Sequence, residues 1–236
     1  MRARKKGYAY TPGEFAIPLT NKQRRYSMVK SILDRIIALI ALIILSPLFL
    51  AVCIAQKISS SQEPIFFVQK RIGKNGSCFN IIKFRTMKSS APKNVASRDF
   101  EGVENYISKL GGFLRKTSID ELPQLINVLR GEMALIGYRP LVYTEREIRH
   151  LRKWYGIYQV LPGITGWAQV NGRDTVDVYD KVRYDREYLK NMSFKFDLKI
   201  VFLSLMVVVR RVGIVEGKTK AAAQEKHERA ENLEEI

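Results

Sequence analysis

Two adjacent carboxylates, Asp120 and Glu121, stand inside "LRKTSIDELPQLINVLRGEMALIGYRP", just after the basic pair Arg115-Lys116 and just before Leu122-Pro123. The whole chain carries a net charge of +17. A bare acidic pair in such a setting has two readings. Ser118-x-x-Glu121 fits a capping box, and acids at a helix N-terminus complement its dipole. The other reading is a reaction centre, whose chemistry would rest on carboxylates, arginines, lysines or a bound ion. The box accounts for Glu121, while Asp120 is left with the dipole argument alone.

Other chemistries are thinly supplied. His150 and His227 are the only histidines, which leaves no histidine triad and no zinc set. Cys53 and Cys78 are the only cysteines, so a disulfide framework is not expected and a reducing compartment fits. A basic surplus of 40 Lys and Arg over 23 acids points to phosphates, nucleic acid or an anionic membrane face as partners.

The elements around the pair would bring cations to it. Leu122, Leu125, Ile126 and Leu129 recur at helical spacing, with Pro123 in the first turn and Gly131 as terminator. A short strand, Met133–Ile136, then delivers Arg139 in Gly137–Pro140. A helix and a return strand can bring Arg115 and Arg139 together, which makes an anion site beside the carboxylates plausible. Pro64–Met87 reads as a hairpin about "GKNGS", with the Asn75-Gly76 turn signal. It carries Lys70, Arg71, Lys83 and Arg85, for which lipid headgroups and phosphate are both open partners.

Further along, 88–100 reads as a loop, and Val103–Leu110 as a short helix ended by Gly111-Gly112. Tyr143–Tyr158 is amphipathic, with Trp154, Tyr155 and Tyr158 assigned to core or interface. Leu161–Asp174 reads as a glycine-punctuated loop offering Gln169, Asn171 and Arg173. Its glycine spacing matches no dinucleotide or P-loop fingerprint. Val176–Asn191 is a charged helix, and the uncharged stretch Ile200–Val209 is too short to span a bilayer.

Ile36–Ala55 is a run of 20 residues without a charge, long enough to span. A cleaved signal fits poorly, because the run starts late and lacks a small-x-small site. Both flanks are basic: residues 1–35 hold nine Lys and Arg against Glu14 and Asp34, and Lys57, Lys70, Arg71, Lys74, Lys83 and Arg85 follow the run. Basic flanks prefer the cytoplasm, and a helix that enters, bends and returns satisfies both. Ser46-Pro47 is the candidate bend. Pro47 cannot donate to the Ile43 carbonyl, and the Ser46 hydroxyl can help to re-satisfy the backbone. A kinked spanning helix stays open on these residues alone.

"KFRTM", "LRKTSIDELPQLINVLRGEMALIGYRP", "LPGITGWAQVNGR" and "FKFDLKI" together resemble the bacterial sugar transferases, the monotopic polyprenyl-phosphate phosphoglycosyl transferases, in their short form. The likeness covers roughly residues 28–213. It implies transfer of a sugar-1-phosphate from a UDP-sugar to undecaprenyl phosphate, with release of UMP, at the start of surface-glycan or glycoprotein-glycan synthesis. It implies catalytic roles for Asp120 and Glu121, phosphate contacts at Arg115 and Arg139, and a re-entrant helix broken at Ser46-Pro47. Lys83 and Arg85 of the same motif set are added as phosphate-binding candidates. Mg²⁺ suits a carboxylate plus phosphate oxygens, with Glu121 as its ligand and Asp120 left as nucleophile.

The expected fold is therefore α+β. A re-entrant helix-break-helix anchors it to the membrane, and a compact helical domain carries a β-hairpin and interfacial amphipathic helices. The expected segments are a basic N-terminal arm (1–27), the re-entrant helix (28–58), the catalytic domain (59–215) and a polar tail (216–236). The expected location is the cytoplasmic face of the bacterial inner membrane, with anionic phospholipid as a partner and no nucleic acid. Two rivals are a non-enzymatic basic module on lipid or nucleic acid, and an aspartyl-phosphate phosphatase. The latter lacks an Asp-x-Asp-x-Thr pattern.

Overall fold

Thr20 opens the first helix with a reciprocal cap: its side chain accepts from Gln23 N, and the Gln23 side chain accepts from Thr20 N. Helix α1 (Asn21–Ile44) begins well ahead of the apolar run and leads straight into α2 (Ser46–Ser59). The two axes are bent by 60° at Leu45-Ser46-Pro47. Pro47 has no N–H for the Ile43 carbonyl, and Ser46 Oγ donates to that oxygen at 2.8 Å. Among the described residues no single helix is long and apolar enough to cross a membrane, but the bent pair together is. Met28, Ile32, Ile36, Ile40, Ile43 and Ile54 are exposed along it, an apolar surface far larger than isolated surface leucines would give.

The computed structural model describes residues 13, 15–91, 102–172 and 176–210. Residues 1–12 and 14 of the expected N-terminal arm, most of the 88–100 loop, Arg173, Asp174 and the tail lie outside the described residues.

After α2 the chain forms the hairpin β1 (Phe66–Ile72) and β2 (Cys78–Phe84), paired antiparallel from Phe66↔Phe84 to Ile72↔Cys78. Asn75 and Gly76 take positive φ at its tip (54° and 70°), as the Asn-Gly signal requires. Then come α3 (Lys109–Lys116), a 3₁₀ turn at Ile119–Glu121, α4 (Gln124–Leu129) and β3 (Ala134–Ile136). The rest is mainly helical: α5 (Arg146–Trp154), β4 (Gly163–Thr165), α6 (Trp167–Val170), α7 (Val178–Asn191) and α8 (Phe194–Arg210). Among the described residues the fold is α+β with two small two-stranded sheets, the hairpin and the parallel pair β3–β4.

Three sequence expectations are corrected. Gly111-Gly112 does not stop a helix but lies inside α3. A Cβ at Gly111 would stand 2.1 Å from the Thr86 carbonyl oxygen, so the glycine lets α3 close on the chain after β2. The stretch Leu161–Asp174 is not all loop, since Gly163–Thr165 pairs with β3 and Trp167–Val170 is helical. The α4 face is not purely apolar: Gln124 and Asn127 are buried beside Leu125 and Val128, while Leu129 is exposed.

Asn127 explains the last point. It is fully buried, its Nδ2 donates to Asn80 O and Glu132 Oε2 (both 2.7 Å), and its Oδ1 accepts from Ile82 N at 3.0 Å. It thereby fastens α4 to β2. Asn127→Ala strands those partners without water, and is expected to lower stability by about 2–4 kcal/mol in chemical unfolding.

Helix α1 is bound into the same body. Lys30 Nζ lies 3.1 Å from Asp34 and 2.9 Å from Asp197 of α8. Asp34 accepts from Leu135 N (3.1 Å), and Tyr26 and Tyr188 donate to Asp197 at 2.7 and 2.9 Å. On the apolar side Ala38 packs with Phe79, Ile81, Leu125, Val128 and Met133. Helix α8 buries Ile200 and Asp197, and exposes Phe194, Leu198, Phe202 and Leu205 as one stripe.

Candidate active site

Strand alternation sets the first cation. Phe79 and Ile81 point from β2 into the core, and Lys83 continues that row at the strand's end. Its ammonium therefore sits where a hydrophobic residue would be expected, and burial depresses its pKa, with Glu121 opposing and Arg139 adding. Lys83 Nζ meets Glu121 Oε1 at 2.6 Å, with side-chain exposures of 15% and 18%. A pair this shielded is screened far less than a surface bridge.

The second cation comes from β3. Beyond Ile136 the strand runs on through Tyr138, which bridges Pro162, and the chain then turns. That turn presents Arg139, whose Nη1 lies 3.4 Å from the same Glu121 oxygen. The helix-and-return-strand route does bring Arg139 to the acidic pair.

The carboxylates themselves stand on the 3₁₀ turn between α3 and α4. The capping reading of Glu121 does not hold. Ser118 adopts φ 57°, its side chain caps nothing on that turn, and the Glu121 carboxylate goes to Lys83 and Arg139 instead. Asp120 is partly buried, and its carboxyl is pushed up to about 6. Burial is the main cause and Glu121 adds to it, while Lys83, Arg115 and Arg139 pull the other way. Those three cations all act electrostatically on Asp120, so Arg115 belongs to the cluster.

Arg85 is held elsewhere. Its Nε donates to Pro64 O at 2.9 Å, its Nη1 reaches Ser89 Oγ at 3.2 Å, and Glu63 lies 4.0 Å away. The structure instead adds a hairpin cation that the sequence had not placed in the site. Arg71, at the end of β1, is deeply placed and lowered to about 10, by burial first and then by Arg139. Its Nη1 donates to Pro140 O at 3.2 Å and its Nη2 to Gln69 Oε1 at 2.6 Å.

Gln169 and Asn171 donate to the Ile164 and Trp167 carbonyls, so both serve their own loop. Ser46 and Pro47 lie at the α1–α2 bend.

Among the described residues there is no group of three or more His, Cys, Asp or Glu that could cage a metal. The acidic pair supplies two carboxylates, a donor set that suits Mg²⁺, which takes one or two carboxylates and completes its shell with water and substrate phosphate.

The Asp120 shift has a stability consequence with a fixed sign. The folded carboxyl titrates near 6 rather than at its ordinary 3.8, so ionised Asp120 weakens the fold as pH rises through that window. An asparagine carries no such cost. In chelator, Asp120→Asn is expected to melt above the wild type at pH 7 to 8, and the gap should close below about pH 4. A constant gap across the range would contradict the burial of this carboxylate.

The chain is similar to several bacterial proteins. It is 39% identical over 195 residues to the UDP-glucose:undecaprenyl-phosphate glucose-1-phosphate transferase of Escherichia coli K12, covering 80% of this chain and 41% of that one. The corresponding protein of Xanthomonas campestris is 35% identical over 198 residues, with 80% and 40% covered. The uncharacterized sugar transferase EpsL of Bacillus subtilis 168 is 42% identical over 180 residues, with 72% and 79% covered. The chain thus spans about two fifths of the length of the first two relatives and most of the third. The bacterial sugar transferase family profile matches residues 25–211, which takes in most of α1, all of α8 and every cation of the cluster. By that match and by these relatives, the chain belongs to the bacterial sugar transferase family.

Proposed function

We propose that this protein transfers a sugar-1-phosphate from a UDP-sugar to undecaprenyl phosphate and releases UMP, as an initiating step of extracellular polysaccharide or related glycan synthesis. One observation carries the reading: a partly buried Asp120 that stands beside a Glu121 clamped by Lys83 and Arg139. The activity for which the E. coli and Xanthomonas relatives are named supports it.

The Asp120 carboxylate attacks the β-phosphorus of the donor. The P–O bond to the bridging oxygen breaks, and UMP leaves with that electron pair. The sugar-phosphoryl-aspartate is then attacked by a phosphate oxygen of the polyprenyl acceptor, which frees Asp120. A carboxyl titrating near 6 is mostly ionised at pH 7, so no base is needed. The obstacle is repulsion between an anion and a diphosphate. Lys83, Arg115 and Arg139 are arranged to offset it, at fixed positions that need no reorganisation. Glu121 would hold Mg²⁺, which neutralises phosphate charge when bound.

The exposed apolar faces of α1 and α2 sit in one leaflet as a re-entrant anchor, and the α8 stripe lies in the interface. Residues 28–58 are then membrane-borne, 59–215 catalytic, and both chain ends cytoplasmic. Asp120 works at headgroup depth, where the acceptor phosphate is. The basic surplus draws in both phosphorylated substrates and anionic phospholipid, and this attraction weakens with salt.

The test is UMP release by purified protein from a panel of UDP-sugars, including UDP-glucose and UDP-N-acetylgalactosamine, with and without undecaprenyl phosphate. Acceptor-dependent product with one donor is expected. Absence of UMP release from every donor would sink the reading. Tags at both chain ends should label from the cytoplasmic side alone, and opposite-side labelling would defeat the re-entrant anchor.

A further inference from the structure

Arg152, in the last turn of α5, is 1% exposed. Its Nε and Nη2 both meet Asp185 Oδ2 of α7 at 2.7 Å, and Asp185 is 3% exposed. A buried ion pair is a poor way to fasten two helices, since apolar side chains of similar volume usually do it at least as well. Such a pair is better at fixing a direction. The remaining arm of the guanidinium shows which one: Arg152 Nη1 donates to the backbone carbonyl of Arg139 at 2.7 Å. Its plane is further set by the Tyr138 ring, 5.1 Å from the guanidinium carbon.

The next carbonyl is held as well. Arg71 donates to Pro140 O, and the chain beyond pairs with the end of β1 through Ile72 N to Leu141 O at 3.2 Å. On the near side Gly163 N donates to Tyr138 O at 2.9 Å. The turn that presents Arg139 is thus gripped at four successive carbonyls, from β4, α5 and β1. The grip on Arg139 itself is charged, bidentate to its own anchor and buried. Arginine suits this task, because its planar fork serves two partners at once.

We propose that Arg152, locked by Asp185, is a positioning residue that aims the Arg139 guanidinium at the diphosphate of the nucleotide-sugar donor. The inference rests on the proposed transferase reading. It adds to that reading a pair of residues about a helix away from the reacting atoms. Misplacing a substrate-binding group by an ångström can cost about 10²-fold, so the effect should be read in donor kinetics rather than in folding.

The experiment is a mutant cycle on the full-length, membrane-extracted protein. Arg152→Met with Asp185→Leu removes both charges together, so no lone ion is left buried. With melting near wild type, kcat/KM for the donor is expected to fall roughly tenfold to a hundredfold, mostly through KM. Arg139→Ala should fall at least as far. Adding the Met/Leu pair to Arg139→Ala should then change kcat/KM by less than about twofold, since there is no guanidinium left to aim. Equal losses in both backgrounds, or unchanged donor kinetics, would overturn the inference.

If the apolar pair does not fold, Arg152→Lys is read in the same cycle. Lysine keeps Asp185 paired but loses the fork, and the same non-additivity is expected. Titration with UDP gives a readout independent of turnover, with weaker binding in each variant and no further loss in the combination. Normal wild-type turnover with an additive cycle removes the positioning role alone. No UMP release from the wild type, with UDP binding still coupled through Arg139, removes the transferase reading alone.

Discussion

Asp120→Asn is expected to abolish sugar-phosphate transfer and the covalent intermediate together, while the protein stays folded. Asparagine matches aspartate in shape but has no anionic oxygen to give to phosphorus. Loss of a covalent nucleophile commonly removes about 10⁴-fold or more of turnover. Lys83, Arg115 and Arg139 act on that position from separate elements, so removing the charge leaves their placement unchanged. The measurement is UMP release, paired with capture of donor labelled in the β-phosphate. Wild type should yield a labelled peptide containing residues 117–121, and the variant none. Near-normal turnover by the asparagine variant would end the assignment, as would label on any other peptide.

Lys83→Met is the second large effect. Methionine fills the stem's space and keeps the end of β2 packed, but Glu121 loses its 2.6 Å partner. Asp120 loses the cation that most strongly favours its ionised form. Removing one preorganised charge at such a centre costs about 10²–10³ in rate. The fold should lose about 1–3 kcal/mol, less than for a fully buried pair because both side chains keep some water contact, at 15% and 18% exposure. Arg85→Met makes the contrast. Arg85 is engaged by Glu63, Ser89 and the Pro64 carbonyl, so transfer should change by only about threefold or less. Parallel UMP-release assays of the two variants separate the cations of the "KFR" stretch.

The parts of this architecture that were legible in the sequence are those fixed by neighbours a few residues apart. The Asn75-Gly76 turn, the Ser46 bond to the Ile43 carbonyl and the helix-strand route to Arg139 all depend on local geometry. What was missed depends on partners far along the chain. Ser118-x-x-Glu121 has the letters of a capping box, but Lys83 stands 38 residues away and takes the carboxylate. Gly111 looks like a helix stop until Thr86 is brought against it. Strand β4 is three residues long and pairs in parallel with β3, so it shows no alternation to read. Arg71 and Arg152 look like surface charges because no local pattern announces a buried arginine. Their partners Pro140, Asp185 and Arg139 lie on other elements.

Helix α1 has been described as fastened to α8 and β3 by Lys30, Asp34 and Asp197, and to the hairpin core by Ala38. It is a keel rather than a leash. A shortened chain starting after Ser59 would expose the underside of β2 and α4 and strip Asp197 of Lys30 and Tyr26, so it should precipitate instead of yielding a soluble enzyme. In the re-entrant anchor proposed above, the same rigidity would keep the reaction centre from rising or sinking in the lipid independently. Its height would be set once, when the broken helix inserts, and the substrates would have to come to that level.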